Sequence, residues 1–587
     1  MQRLLVMQAS TILALNSVRR LIFFMLARLD GEQVGWAHFQ CADWNHAQIR
    51  SLGKTPFPST EHHKSENAAL PAAYLGSRGP YSPKGELTGS EDSPMSMSGE
   101  RLLRGAWLQG FGGVASYVLS FLRNLILARL LTKADFGLAA LFSNTLAMLE
   151  VASRMSFGQQ VVQSPDGASR TFRDTAHAFQ LCLALVGACL LTVFGLVGAP
   201  LVAHRDVSWA FLALALVPLA GGFANLDIYR EQRRFKQGPA VLSELVPQLL
   251  TTLATWPLAL WLGDFRVVLC ILVGKPALGL LMTHVLAAEP YGLCWRRDYV
   301  REMAKFGWPL VLNGFLMFAS MQADQFLVAG ILSTQDLASY ALAFSLASVP
   351  WYMFVQPAAS LMLPVLSRVQ DDPDRFRTHY RSCVELAATG AVAFTLPLIV
   401  FGEQFVTLLY GRKYAGTGEL VALLGAATAF RFLRFAPAVA STACADTRNQ
   451  LNSNLVRAAS LPLAALAAAF GGGLVAIAGA ALAGEIAAGV VSIGRLARRQ
   501  GVRVRANQRA ATYLAAFLAL AAALVWLGSP GWSNGLAALV LVLLVVLIVS
   551  SAWVAFPRTV RPLIWRVLDG VPGRKRRLPA EVNAVPR

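Results

Sequence analysis

Apolar runs long enough to cross about 30 Å of hydrocarbon recur fourteen times along the chain. They fall at 106–131, 138–162, 176–200, 207–227, 240–262, 266–288, 307–331, 337–366, 384–402, 417–440, 450–470, 472–494, 510–528 and 534–556. Each is predicted to be a helix, because a backbone in lipid must satisfy its own hydrogen bonds within the segment. Gly112, Gly113, Pro218, Pro247, Pro276, Pro350, Pro357 and Pro364 lie inside these runs and predict kinked or loosened helices. The connections are short, which leaves no room for a soluble catalytic or nucleotide-binding domain. Residues 1–94 break the pattern. Arg19 and Arg20 interrupt an apolar start, and a polar Pro/Ser/Gly/His-rich stretch follows, expected to be disordered. This part is expected to be a leader or a misassigned start, with the functional chain beginning near Met95 or Met97.

Composition agrees with a polytopic membrane protein. Of 587 residues, 55% are hydrophobic and 14% charged, against about a quarter charged in soluble proteins. Mean hydropathy is +0.50. The net charge of +19 would by itself suit nucleic acid. Its placement argues otherwise. Alternate connections and the tail carry thirty Lys/Arg, from Arg101 to Arg577, and the opposite connections only Lys133, Arg205, Arg266, Arg412 and Lys413. The positive-inside rule then puts both termini in the cytoplasm and requires an even number of spans, with no nucleic-acid partner needed. The seven cysteines form no CxxC pair and read as small buried apolar residues.

The stretch 121–137 ends one apolar helix, turns at Leu131-Thr132-Lys133-Ala134-Asp135 and begins another; 324–336 does the same at Leu332-Ser333-Thr334-Gln335-Asp336. Laying 123–141 over 324–342 gives five identities in nineteen. The spacing of 201 residues makes the seventh span the partner of the first, a parallel repeat with a central cavity between halves. The predicted class is therefore all-α, with about fourteen transmembrane helices in two parallel six-helix bundles, 95–300 and 301–500. A transmembrane pair (501–558) and a basic cytoplasmic tail (559–587) follow.

Enzyme signatures are missing: the sequence contains no GxxxxGK[ST], HExxH or GxSxG, and no catalytic or metal residue is proposed. Charges within the spans carry more information, since a buried ion in a membrane faces a partner or a cavity. Arg123, Arg154, Lys275, Asp324, Arg431 and Arg434 are the candidates for a substrate-lining set. Arg129, Glu150, Glu244, Arg457 and Glu485 are structural or coupling candidates; Glu150 and Arg154 stand i,i+4, and Arg129 suits a headgroup anchor. The basic surplus suits an anionic substrate, because guanidinium matches phosphate oxygens.

Three segments in this order resemble Wzx-type polysaccharide flippases. They are LILARLLTKADFGLAAL (125–141), YREQRRFKQGPAVLSEL (229–245) and LYGRKYAGTGELVALLGAATAFRFL (409–433). The resemblance covers roughly 100–500, and the family belongs with lipid II flippases and MATE exporters in one superfamily. It implies two bundles alternating access, with an undecaprenyl-diphosphate-linked oligosaccharide carried across the bacterial inner membrane for O-antigen, exopolysaccharide or capsule. Its implied partners are the lipid-linked oligosaccharide, membrane lipids, and polymerase and chain-length proteins of the pathway. The implied cofactor is none, with coupling to a proton or sodium gradient. The competing readings are a cation-coupled drug exporter, which a basic interior disfavours, and a membrane polymerase or ligase, which the short external connections disfavour.

Overall fold

The computed structural model describes residues 99–153, 156–198, 207–233, 236–501, 505–527, 534–556 and 559. The chain divides into Met1–Leu102 and Leu103–Arg587, and the spans all lie in the second unit. The expectations for 1–94 and for the basic tail beyond 559 fall outside the described residues.

Among these residues the chain forms nineteen α-helices and no strand. The first half holds α1 (Gly99–Leu130), α2 (Lys133–Ser153), α3 (Phe157–Gln163), α4 (Arg170–Val193), α5 (Ser208–Leu214), α6 (Leu216–Gly222), α7 (Asp227–Arg233), α8 (Gly238–Leu262) and α9 (Arg266–Leu286). The second holds α10 (Arg297–Ile331), α11 (Thr334–Arg368), α12 (Pro373–Val400), α13 (Gly402–Tyr410), α14 (Gly418–Ala443), α15 (Thr447–Ala458), α16 (Ser460–Ala467) and α17 (Gly473–Gln500). The last two are α18 (Arg505–Trp526), which packs on α12 and α14, and α19 (Asn534–Ala555), which packs on α12.

Twelve of the described segments are long and apolar enough to cross a membrane, or up to thirteen with one bent pair. That pair, Ser208–Gly222 and Asp227–Arg233, turns by 47° where a single span was expected at 207–227. One of the twelve, Thr447–Gln500, runs 54 residues. It reverses at Gly471 (φ 88°) and Gly473 (φ 58°), left-handed positions that glycine adopts without a Cβ clash. Beyond the turn Asn449 reaches Ser492 and Ser453 reaches Ala488, so α15–α16 and α17 run antiparallel.

The two halves repeat each other down to the turn. Thr132 Oγ1 accepts from Asp135 N–H at 3.2 Å and donates to Asp135 Oδ2 at 2.6 Å. Ser333 and Asp336 do the same at 3.1 and 2.6 Å, completing a capping box. The hairpins so formed pack on one another, α2 against both α10 and α11. A Cβ on Gly137 would lie 1.8 Å from the Thr334 carbonyl oxygen, so only glycine permits this approach.

Outward faces are apolar because lipid, not water, surrounds them. On α8, Leu249, Leu253, Trp256 and Leu260 are exposed at helical spacing, and α19 exposes Leu539, Val542, Leu543 and Val546. The cysteine expectation is corrected here: Cys383 is buried, but Cys182, Cys189 and Cys270 are exposed. A thiol is apolar enough to face acyl chains, so burial is not required of it.

Candidate functional site: a tapering cleft and a buried ion network

With about 100° between successive helical residues, Glu244, Gln248, Thr251 and Thr255 share the face of α8 opposite its lipid-facing leucines. Glu244 is exposed, whereas Gln248, Thr251 and Thr255 are 1%, 5% and 0% exposed. The interior is thus open to water at the basic end of α8 and closed a turn further on. The long helix α10 tapers in the same way. Trp308, Leu310, Leu312, Asn313, Phe315 and Met317 are exposed around its circumference, while Phe318, Ser320, Asp324, Gln325 and Val328 are buried. On α1, Phe111, Val118 and Leu122 form an exposed lipid face, and Gln109 and Gly113 are exposed on the face opposite. All three helices describe a cleft between the halves, open toward the basic loops. Tyr117 of α1 stacks on Tyr352 of α11 across it, with centroids 4.7 Å apart.

Arg123 lies half-buried on the cleft side of α1, and its Nη2 donates to Ser120 Oγ at 3.1 Å. Among the described residues it has no carboxylate partner. Lys275 is half-buried on α9, on the face opposite the exposed Cys270, Ala277, Leu281 and His284. Glu150 is half-buried on α2. Arg154 lies outside the described residues, so the Glu150–Arg154 spacing is not placed.

The other candidates come together elsewhere. Arg431 and Arg434 (α14), Arg457 (α15), Glu485 (α17) and Asp324 (α10) are 4%, 7%, 1%, 0% and 3% exposed and form one network inside the second half. Arg431 Nη2 lies 2.9 Å from Glu485 Oε1, Arg434 Nη2 3.2 Å from Oε2, and Arg457 Nε 3.4 Å from Oε1. Arg457 Nη2 reaches Asp324 Oδ2 at 3.0 Å, and Tyr340 Oη donates to the same oxygen at 3.1 Å. Ser453 and Asn454 accept from Arg434 Nη1, and Ser460 accepts from Arg457 Nη1. This corrects two expectations. Asp324, Arg431 and Arg434 do not face an open cavity, and Asp324 is not opposite Arg123: its charge is met by Arg457 from its own half. Burial forces the pairing, since an unpaired ion at this depth costs several kcal/mol. The network still touches the first half through one neighbour, as Asn144 of α2 donates to Gln325 Oε1 at 2.9 Å, one residue from Asp324.

Two features carry no sequence signature as chemistry. Arg129 donates to the carbonyls of Leu408 and Leu409 at the end of α13 rather than reaching for headgroups. At the basic end of the first half, Asp227 and Glu289 gather Arg173 and Arg230, with Arg230 Nε 2.9 Å from Asp227 Oδ1. There His177 bridges the Gly292 carbonyl (3.1 Å) and the Leu226 N–H (3.0 Å), which assigns it the neutral Nδ1–H tautomer. These arginines count toward the positive-inside surplus, yet they are also consumed in loop-locking pairs. A separate cavity of about 310 Å3 opens beside Asp446, Arg448, Arg495 and Arg499. There the Arg495 guanidinium, bonded at 2.9 and 3.0 Å, holds the Asp446 carboxyl below the usual carboxylate range.

Two helical halves meeting on paired hairpins around a one-sided cleft make a multi-pass membrane fold. Residues 126–418 match the family described as polysaccharide biosynthesis protein. That match covers just under half of the chain. An uncharacterized membrane protein in the cps region of Klebsiella pneumoniae is 21% identical over 333 residues, covering 54% of this chain and 66% of that protein. The lipopolysaccharide biosynthesis protein WzxC of Escherichia coli (strain K12) is 22% identical over 343 residues, covering 55% and 66%. The match thus spans just under two thirds of each relative. Among solved structures, lipid II flippase MurJ in an inward closed conformation aligns with a TM-score of 0.61 at 12% identity, over 79% of this chain and 100% of that one. An inward-facing MATE family transporter of the MOP superfamily aligns at 0.55 and 12%, over 66% and 94%. Both likenesses concern the fold alone.

Proposed function

We propose that the protein is a flippase that moves an undecaprenyl-diphosphate-linked oligosaccharide from the cytoplasmic to the periplasmic face of the bacterial inner membrane by alternating access. The likeness to polysaccharide and lipopolysaccharide biosynthesis proteins supports a lipid-linked substrate, and the taper of the cleft supports entry from the basic, cytoplasmic side. The observation that carries the reading is Arg123. An arginine inside a membrane protein, without a carboxylate partner among the described residues, calls for an anion, and its planar fork fits diphosphate oxygens. Lys275, on the inward face of α9, adds a second cation. The Arg431–Glu485 network then acts indirectly, by holding the second half rigid while it rocks.

Replacing Arg123 with Ala should cut polysaccharide export about tenfold or more at normal protein level, the scale of one lost charge-assisted contact. Arg123→Lys should fall between, because a point charge remains but the bidentate fork is gone. Wild-type export by Arg123→Ala, measured as surface polysaccharide in cells with equal membrane content of the protein, would overturn the assignment.

A further inference from the structure

On the side opposite the basic loops, each half offers a cation to the bare carbonyl end of a helix in the other half. Arg129 closes α1, and its guanidinium donates to Leu409 O at 2.6 Å and to Leu408 O, the last turn of α13. Just past α13, Lys413 Nζ donates to Arg129 O at 3.0 Å, in the last turn of α1, and to Leu131 O at 2.5 Å, just beyond it. The last carbonyls of a helix lack intrahelical partners and carry the negative end of its dipole, so each cation meets a matched acceptor. Tyr414 sits at the crossing: Lys133 and Lys413 both lie 5.4 Å from its ring, and Phe136 meets it edge-on at 6.3 Å. Burial, and the charge of Lys133, push the Lys413 ammonium below its ordinary range. That places two cations side by side with carbonyls and an aromatic face as their compensation.

We propose that this reciprocal exchange, Arg129 onto the end of α13 and Lys413 onto the end of α1, is the latch that closes the face opposite the basic loops. Its parts come from the two halves, so separating the halves on this side breaks every bond in it. No carboxylate takes part in the four bonds. The carbonyls and cations can therefore be rehydrated on opening without leaving a buried ion behind, as a reversible closure requires. Below the latch, Gly137 lets α2 touch the Thr334 carbonyl, and Ala338, one turn further along α11, is fully buried.

The proposal rests on the reading of the protein as a transporter, but its test uses no substrate, so its failure leaves that reading standing. The full chain, with its seven cysteines replaced and Ala338→Cys added as reporter, is labelled in intact cells by a membrane-impermeant maleimide. Joint Arg129→Gln and Lys413→Gln replacement should raise the labelling rate at least about tenfold, and each single change should raise it less. Gly137→Ala should raise it too, by wedging α2 from α11 while leaving both cations in place. The exchange Arg129→Lys with Lys413→Arg should keep the rate low. A second reporter, Ala388→Cys, fully buried within the second half, reads general loosening. An unchanged rate at residue 338 in the double variant overturns the latch, and so does an equal rise at 388, since the contacts would then hold the fold rather than a gate.

Discussion

Glu485 is ion-paired with three guanidiniums and is wholly buried, which makes it the member of the network whose loss exposes the most uncompensated charge. Breaking a buried pair by removing one partner costs about 3–5 kcal/mol, because the survivor stays desolvated. Glu485→Gln should therefore lower stability by about that amount, read as thermal or denaturant unfolding in detergent. Arg431→Gln should cost less, because Arg457 and Arg434 still meet Glu485 at 3.4 and 3.2 Å. Equal losses would show that the charge is shared evenly rather than centred on Glu485. Each of these residues was visible in the sequence as a charge within an apolar run, but their pairing was not. Arg457 and Asp324 are 133 residues apart, and Arg431 and Glu485 are 54 apart. The repeat even suggested the wrong partner for Asp324, since symmetry relates positions and says nothing of which side chains meet. Arg129 and Lys413 were harder still, because a cation that bonds backbone carbonyls needs no complementary side chain.

The helices themselves were legible wherever lipid dictates them, as in α8, α9 and α19, whose outward faces must be apolar along their whole length. The departures occur where packing or a turn overrides hydropathy. The expected span at 207–227 is broken and bent, and α13, amphipathic and too short to cross, stood in the sequence only as part of a connection. The hairpin of α15–α16 with α17 depends on a third feature, the small residue Gly484. A Cβ there would lie 2.5 Å from Ser460 Oγ and 3.1 Å from Arg457 Cδ. Gly484→Ala should thus push α17 from α16 and move Arg457 off Asp324, lowering stability by about 1–3 kcal/mol, as overpacking does. Substituting Gly479, where a Cβ meets nothing within 4 Å, should be near neutral in the same unfolding assay and serves as the control.

At the scale of the whole molecule, the sidedness of charge and the sidedness of the cleft are independent observations that point the same way. Thirty basic residues gather on one set of connections, the set the positive-inside rule expects in the cytoplasm. Separately, the exposure of Glu244, Asn313 and Gln109 against the burial of Thr255, Asp324 and Ala128 opens the interior on the side of those connections. The latch accounts for the opposite end being shut. Together they predict a protein at rest with its interior open on the side of the basic connections, and this has a direct measurement. A single cysteine at position 244, in a chain otherwise without cysteines, should react with a membrane-impermeant maleimide in inside-out vesicles and stay protected in intact cells. Opening the latch by Arg129→Gln with Lys413→Gln should reverse part of that preference, raising reaction from outside and slowing it from the cytoplasmic side. The two rates are tied because one cleft cannot widen at both ends while the halves remain packed on α2, α10 and α11. Labelling of residue 244 from outside in the parent chain would invert the topology. Equal labelling from both sides in the latch variant, with neither rate falling, would show a channel-like path instead of alternation.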